Sequence, residues 1–161
     1  MVYYLLLGGN EGDVDSRMSQ ALTMLSEGDG HIAATSSIYQ SPAWGYDSTL
    51  PYHNLAIKLI TPVSPFPLLS FTKHVERLLG RSSKSSNGIY HDRPIDIDIL
   101  LADNTILNTE TLTIPHPRLH LRRFALLPLA QIAPDIIHPL LHKTISQLLY
   151  DCPDTSPVTL I

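Results

Sequence analysis

The chain has 161 residues, 17.9 kDa and 43% hydrophobic residues, enough to bury the core of one domain and too short for a fused second one. Lys and Arg number 11 against 15 Asp and Glu, with a pI near 6.0, which excludes the broad basic footprint of a nucleic-acid binder. A single cysteine, Cys152, excludes an intrachain disulfide framework, and neither a leader-like N-terminus nor an apolar run of about 18 residues is present, so the expectation is a soluble cytoplasmic protein without membrane contact; a monomer is expected, although none of these features fixes the oligomeric state.

Val2 to Leu7 is a continuous apolar run rich in strand formers that stops at Gly8-Gly9-Asn10, which predicts a central strand ending in a turn. Asp13 is placed to cap a helix whose apolar residues Val14, Met18, Ala21, Leu22 and Leu25 recur at helical spacing. The glycines before it lack the Gly-Lys-Ser/Thr ending of a P-loop. His31 to Gln40 alternates as one strand, and Asn54 to Ile60 reads as another. The loop between them, Ser41 to Pro51, is too long for a tight hairpin and holds the only tryptophan, Trp44. A planar ligand would find faces to stack on in Trp44 and Tyr52, and an amide to pair with in Asn54.

Ser64-Pro65 opens a second helix with Leu68, Phe71, Val75, Leu78 and Leu79 as its predicted buried stripe, which leaves Lys73 and Glu76 on the solvent side. The stretch from Arg81 to Asp92 is rich in Ser, carries Lys84, Tyr90 and His91, and reads as a loop. It leads into Asp92-Arg93-Pro94-Ile95-Asp96-Ile97-Asp98-Ile99, where a period of two puts the isoleucines on one face and both carboxylates on the other. Residues two apart on one strand face lie about 7 Å from each other, so the like charges call for something positive between them. A divalent cation such as Mg²⁺, completed by water and phosphate oxygens, meets that need. Arg93, always charged and three residues away, turns the expectation from a bare ion site to a polyphosphate.

Thr105 to Ile114 forms an extended arm ending at Pro115, and His116, Arg118, His120, Arg122 and Arg123 then give an acidic chain one local basic cluster suited to an anion. The His116/His120 and His138/His142 pairs have zinc-like spacing, but Pro117 and Pro139 interrupt them and no thiolate joins. Phe124 to Ala133 is a predicted helix, starting late or kinked at Pro128, and Thr144 to Tyr150 is a weaker one. The tail over 151–161 is expected to be partly flexible, ordered only where it touches the body. One domain over 1–161 of α+β class follows: a ferredoxin-like split βαβ sandwich with a mainly antiparallel sheet and extra C-terminal helices.

The residues also carry a resemblance. Leu7-Gly8-Gly9-Asn10, Ser36-Ser37-Ile38-Tyr39-Gln40-Ser41-Pro42, Tyr52-His53-Asn54-Leu55-Ala56, Glu76-Arg77, Gly80-Arg81, the Asp92 to Leu100 stretch, Thr113-Ile114-Pro115-His116-Pro117-Arg118, Arg122, Phe124 and Pro128-Leu129, in this order, resemble the 6-hydroxymethyl-7,8-dihydropterin pyrophosphokinase family of folate biosynthesis. The resemblance implies transfer of diphosphate from ATP to the pterin hydroxymethyl oxygen, with two Mg²⁺ ions held by Asp96 and Asp98. Arg81, Arg93, His116 and Arg122 would surround the triphosphate, and Lys73, Glu76, Ile99 and Thr113 would lie on the ATP side. Gly8, Ser41, Pro42, Trp44, Tyr52, Asn54, Tyr90 and Phe124 would hold the pterin. Departures concentrate in one loop, where Ser83 and Ile89 stand in place of family arginines and Tyr90 in place of a tryptophan; Thr111 replaces a further arginine. Lys84 or His91 would have to compensate. Two other readings fit parts of the pattern: a pterin- or nucleotide-binding module that has lost catalysis, and an Asp-x-Asp transferase for nucleotide sugars.

Overall fold

Strand β1 (Val2–Gly9) owes its central position to its seven buried residues, and it pairs antiparallel with β4 (Tyr52–Ile60) on one side and β5 (Asp96–Ala102) on the other. The computed structural model describes residues 1–80 and 90–161. β2 (His31–Thr35) and β3 (Tyr39–Ser41) both pair with β4, giving the sheet order β5-β1-β4 with β2 and β3 beyond. This is the split βαβ arrangement, every pairing antiparallel.

The expected single strand over His31 to Gln40 is instead broken in two. At the break the Ser36 hydroxyl accepts the Ala56 amide at 2.9 Å, in place of a ladder carbonyl, while the Ser36 amide donates to the Ala56 carbonyl at 2.8 Å. A serine that serves the backbone in this way competes with the ladder locally.

The sheet is covered on both faces. Tyr3, Leu5 and Leu7 of β1, Leu55, Ile57 and Leu59 of β4, and Ile97 and Ile99 of β5 form one core with helix α1 (Val14–Glu27) and helix α2 (Pro65–Leu78). Asp13 caps α1 as predicted, accepting the Ser16 amide at 3.1 Å. On the opposite face, Tyr4, Leu6 and Ala56 pack against α3 (Arg123–Ile132) and α4 (Ile145–Asp151). α3 starts at Arg123, so it is not delayed by Pro128, which lies inside it. The arm before it is a small hairpin of β6 (Leu107–Asn108) and β7 (Thr113–Ile114), followed by a cis Ile114–Pro115 bond. The tail touches the body along its length: Cys152 packs against the core on the α3 and α4 face, Asp154 Oδ2 accepts the Arg123 amide at the start of α3, and β8 (Thr159–Leu160) pairs with β3.

α2 presents a different face from the predicted one. Phe71 and Leu78 are exposed, whereas Thr72 and Glu76 are buried with Leu68 and Val75. Glu76, expected in solvent, is only 2% exposed. Its carboxylate accepts the Ile97 amide at 2.8 Å and the Lys73 ammonium at 3.3 Å. β5 is the edge of the sheet, and Ile97 lies across from Leu7 on β1, so Glu76 supplies an acceptor to an edge strand. A buried edge amide needs such a partner. Glu76→Ala should cost about 2 to 4 kcal/mol in urea denaturation, and Glu76→Gln, which keeps an acceptor, clearly less. A loss below about 1 kcal/mol for the alanine variant would show that the amide is satisfied otherwise.

Candidate active site

The second face of the sheet is not covered along its whole length. Beyond Leu6 the side chains on that face shrink to Gly8, and with Asp96, Asp98 and Asn54 beside it they floor a cavity of about 290 Å³. A Cβ on Gly8 would stand 2.9 Å from Asn54 Oδ1, so the glycine keeps the amide of Asn54 accessible. Asn54 itself is buried and donates to Ser41 Oγ at 2.8 Å, which orients its carbonyl oxygen.

One wall is flat and aromatic. Pro42, Trp44, Tyr52, Tyr90 and Phe124 line it, and Trp44 meets Phe124 edge to face at 6.4 Å between centroids. The other wall is charged. Arg93 reaches Asp96 at 3.0 Å, and its neighbours on that wall are Lys73, His116, Arg118 and Arg122. The backbone of Arg93 is clamped to the end of β1: Asn10 Oδ1 accepts its amide at 2.9 Å, and its carbonyl accepts the Asn10 and Glu11 amides. Gly9 permits this approach, since a Cβ there would lie 2.5 Å from the Pro94 carbonyl oxygen.

The charges are strongly coupled. Burial and then the neighbouring Asp96 push the Asp98 carboxyl up to about 7, although Arg122 and Lys73 oppose the rise. Burial, followed by Arg122 and Arg118, pushes His116 down to about 4, so its ring is neutral at neutral pH. His116 Nδ1 accepts the Arg118 amide at 3.1 Å, which leaves the proton on Nε2. Arg122, only 8% exposed, sits 4.6 Å above the Trp44 ring and 5.6 Å from that of Phe124. Its Nε has no hydrogen-bond partner among the described residues. A buried donor left in this state is costly unless a ligand satisfies it.

Thus all of the predicted pterin-side residues, Gly8, Ser41, Pro42, Trp44, Tyr52, Asn54, Tyr90 and Phe124, line one cavity with Asp96, Asp98, Arg93, His116, Arg122 and Lys73. Arg81 and Lys84 lie outside the described residues. Glu76 sits beneath the cavity rather than in it, Ile99 faces the α1/α2 core at 5% exposure, and Thr113 is half-buried on β7; none of the three lines the cavity. Leu6 and Arg118 line it and were missed, as were Asn10 and Asp92, which act through hydrogen bonds. Arg118 was visible in the basic cluster, and Leu6 shares the period of Gly8. No three His, Cys, Asp or Glu side chains converge as a metal cluster among the described residues, and none of the described helices is long and apolar enough to cross a membrane.

Comparison with known proteins gives the family and the fold. The model of the 7,8-dihydro-6-hydroxymethylpterin-pyrophosphokinase family matches residues 4–134. The 2-amino-4-hydroxy-6-hydroxymethyldihydropteridine pyrophosphokinase of Porphyromonas gingivalis is 41% identical over 139 residues, covering 86% of this chain and 94% of that one. Its Bacillus subtilis counterpart is 37% identical over 139 residues, covering 84% and 80%. The crystal structure of Plasmodium falciparum HPPK-DHPS with pteroate shares the fold, with a TM-score of 0.70 at 17% identity over 93% of this chain and 44% of that one. The chain belongs to the 7,8-dihydro-6-hydroxymethylpterin-pyrophosphokinase family and is a pyrophosphoryl-transferring enzyme of folate biosynthesis.

Proposed function

We propose that this enzyme moves the β,γ-diphosphate of ATP to the hydroxymethyl oxygen of 6-hydroxymethyl-7,8-dihydropterin and releases AMP, with Mg²⁺ at Asp96 and Asp98. The observation that carries the reading is the cavity itself: a carboxylate pair with Arg93 and with Arg122, whose Nε has no hydrogen-bond partner among the described residues, directly beside an aromatic slot floored by Asn54. Phosphates answer the first half and a flat heterocycle the second.

The donor set fits Mg²⁺. Two carboxylates on one strand face are hard oxygen ligands, and Asp98, raised first by burial and then by the charge of Asp96, is a site where a bound cation would favour the ionised form. The resemblance implies two such ions, which when bound neutralise phosphate charge and orient the transferred group. The rest falls to the chain. Tyr52, Trp44 and Phe124 offer ring faces to the pterin, and Asn54 and Ser41 its polar edge. Arg93, held by Asp96 and by the Asn10 clamp, and Arg122, held against Trp44, present fixed guanidinium groups to the triphosphate. Neutral His116 donates from Nε2 to an anionic oxygen, and Lys73 adds a point charge. Positioning and preorganised charge carry the rate, because phosphoryl transfer asks little covalent work of the protein. Lys73, Glu76, Ile99 and Thr113 stay on the nucleotide side of this reading, Glu76 through Lys73 and the Ile97 amide. A monomer acting in the cytoplasm belongs to the same proposal.

AMP release from ATP and Mg²⁺ should depend on the pterin, and Asp96→Ala and Asp98→Ala should each lower it by at least about a hundredfold. AMP formed equally without the pterin, or by Asp98→Ala, would contradict the reading. His116 offers a second check by NMR. The unfolded ring takes its proton near 6.5 and the folded ring only near 4, so the stability this ring contributes is complete above about 6.5 and is lost as the pH falls towards 4. Its resonances should titrate near 4 in the free protein and at higher pH once a non-hydrolysable ATP analogue sits beside it. A free-protein titration near 6.5 would refute the burial and charge argument.

A further inference from the structure

Asp92 lies outside the cavity lining, yet three donors from two separate parts of the chain converge on its Oδ1. Asn10 Nδ2, after β1, donates at 2.8 Å; Ser48 Oγ and Tyr46 OH, from the loop between β3 and β4, donate at 2.7 and 3.0 Å. These bonds, Ser48 and Asn10 foremost, hold the Asp92 carboxyl below the usual carboxylate range. Asn10 also donates to the Leu50 carbonyl at 3.3 Å, a second tie to the same loop. With Tyr46 donating to Asp92, the Tyr52 hydroxyl donates to Tyr46 across 2.6 Å. The Tyr46 ring meanwhile stacks on Tyr90 at 6.4 Å and 13°. A single carboxylate therefore joins the 42–51 loop to the end of β1 and, through Tyr46, to two aromatic residues of the cavity wall.

Nothing else in the loop does this by regular structure. Residues 42–51 form neither helix nor strand, so their order rests on side-chain bonds of this kind. Left untied, the loop would have to be ordered when ligand binds, and that cost would fall on affinity. Arg93, next in sequence, has its guanidinium held by Asp96, and its amide is held by the Asn10 side chain that also donates to Asp92, so Tyr46→Phe, which leaves the Asn10–Asp92 bond in place, is the variant that separates the loop from the ATP side.

We propose that Asp92 is a positioning residue that latches the 42–51 loop in place and so presets Trp44 and Tyr52 for the pterin, without contributing to the hold on ATP. The proposal rests on the pterin reading given above. Pterin affinity is read from quenching of Trp44, the only tryptophan, in wild type, Asp92→Ala, Tyr46→Phe and the double variant. Tyr46→Phe keeps the ring stacked on Tyr90 and removes only the hydroxyl, so it tests the latch even where Asp92→Ala folds poorly. Each single variant should bind the pterin about tenfold more weakly, and the double variant no more weakly than Asp92→Ala, with KM for ATP unchanged. Unchanged pterin affinity in Tyr46→Phe, additive losses, or an equal rise in KM for ATP would overturn the latch. A wild type that binds no pterin would instead overturn the functional reading on which it rests.

Discussion

Everything in this molecule hangs on how β5 is held at the edge of the sheet. Its period of two sends Ile95, Ile97 and Ile99 into the core beneath α1 and α2 and leaves Asp96 and Asp98 on the opposite face. A slip of one residue would exchange the two sets and bury the carboxylates in hydrocarbon. The register is set from both sides: Leu7 and Gly8 of β1 lie across from Ile97 and Asp96, and Glu76 takes the Ile97 amide from α2. The buried glutamate thus belongs to the site without entering it.

From that placement the electrostatics follow. Burial first and then the neighbouring Asp96 lift Asp98, although Arg93 is bonded to Asp96 and Arg122 lies near both carboxylates, while burial followed by Arg122 and Arg118 strips the proton from His116. The aromatic slot and the charged wall then meet at Arg122, whose guanidinium lies against Trp44 and Phe124 while its Nε has no protein partner among the described residues. A site poised in this way fits a reaction in which one substrate is flat and the other is a polyanion.

Much of this was legible in the chain. A continuous apolar run located β1, strand patterning located β4 and β5, a capping aspartate located α1, and the order of strands and helices foretold the sheet. The residues of the cavity were legible for the same reason, since ligand chemistry leaves Asp, Arg, His and aromatics where packing would not ask for them. The misses have a common cause. Hydrophobic spacing could not show that α2 turns Glu76 inward and Phe71 outward, because the deciding partner is a backbone amide on another strand. It could not show the break at Ser36, where a hydroxyl replaces a ladder carbonyl, nor the convergence of Asn10, Tyr46 and Ser48 on Asp92, which are far apart in sequence. Polar pairings over long separations leave no local period to read.

The central claim is that the two carboxylates of β5 hold divalent cations against the phosphates of ATP. Electron paramagnetic resonance of Mn²⁺, standing in for Mg²⁺, tests it most directly, in the presence of a non-hydrolysable ATP analogue with wild type and Asp98→Asn side by side. The account predicts protein-bound Mn²⁺ in the wild type that the substitution removes while the fold persists by circular dichroism. Equal Mn²⁺ binding in the two proteins would contradict it.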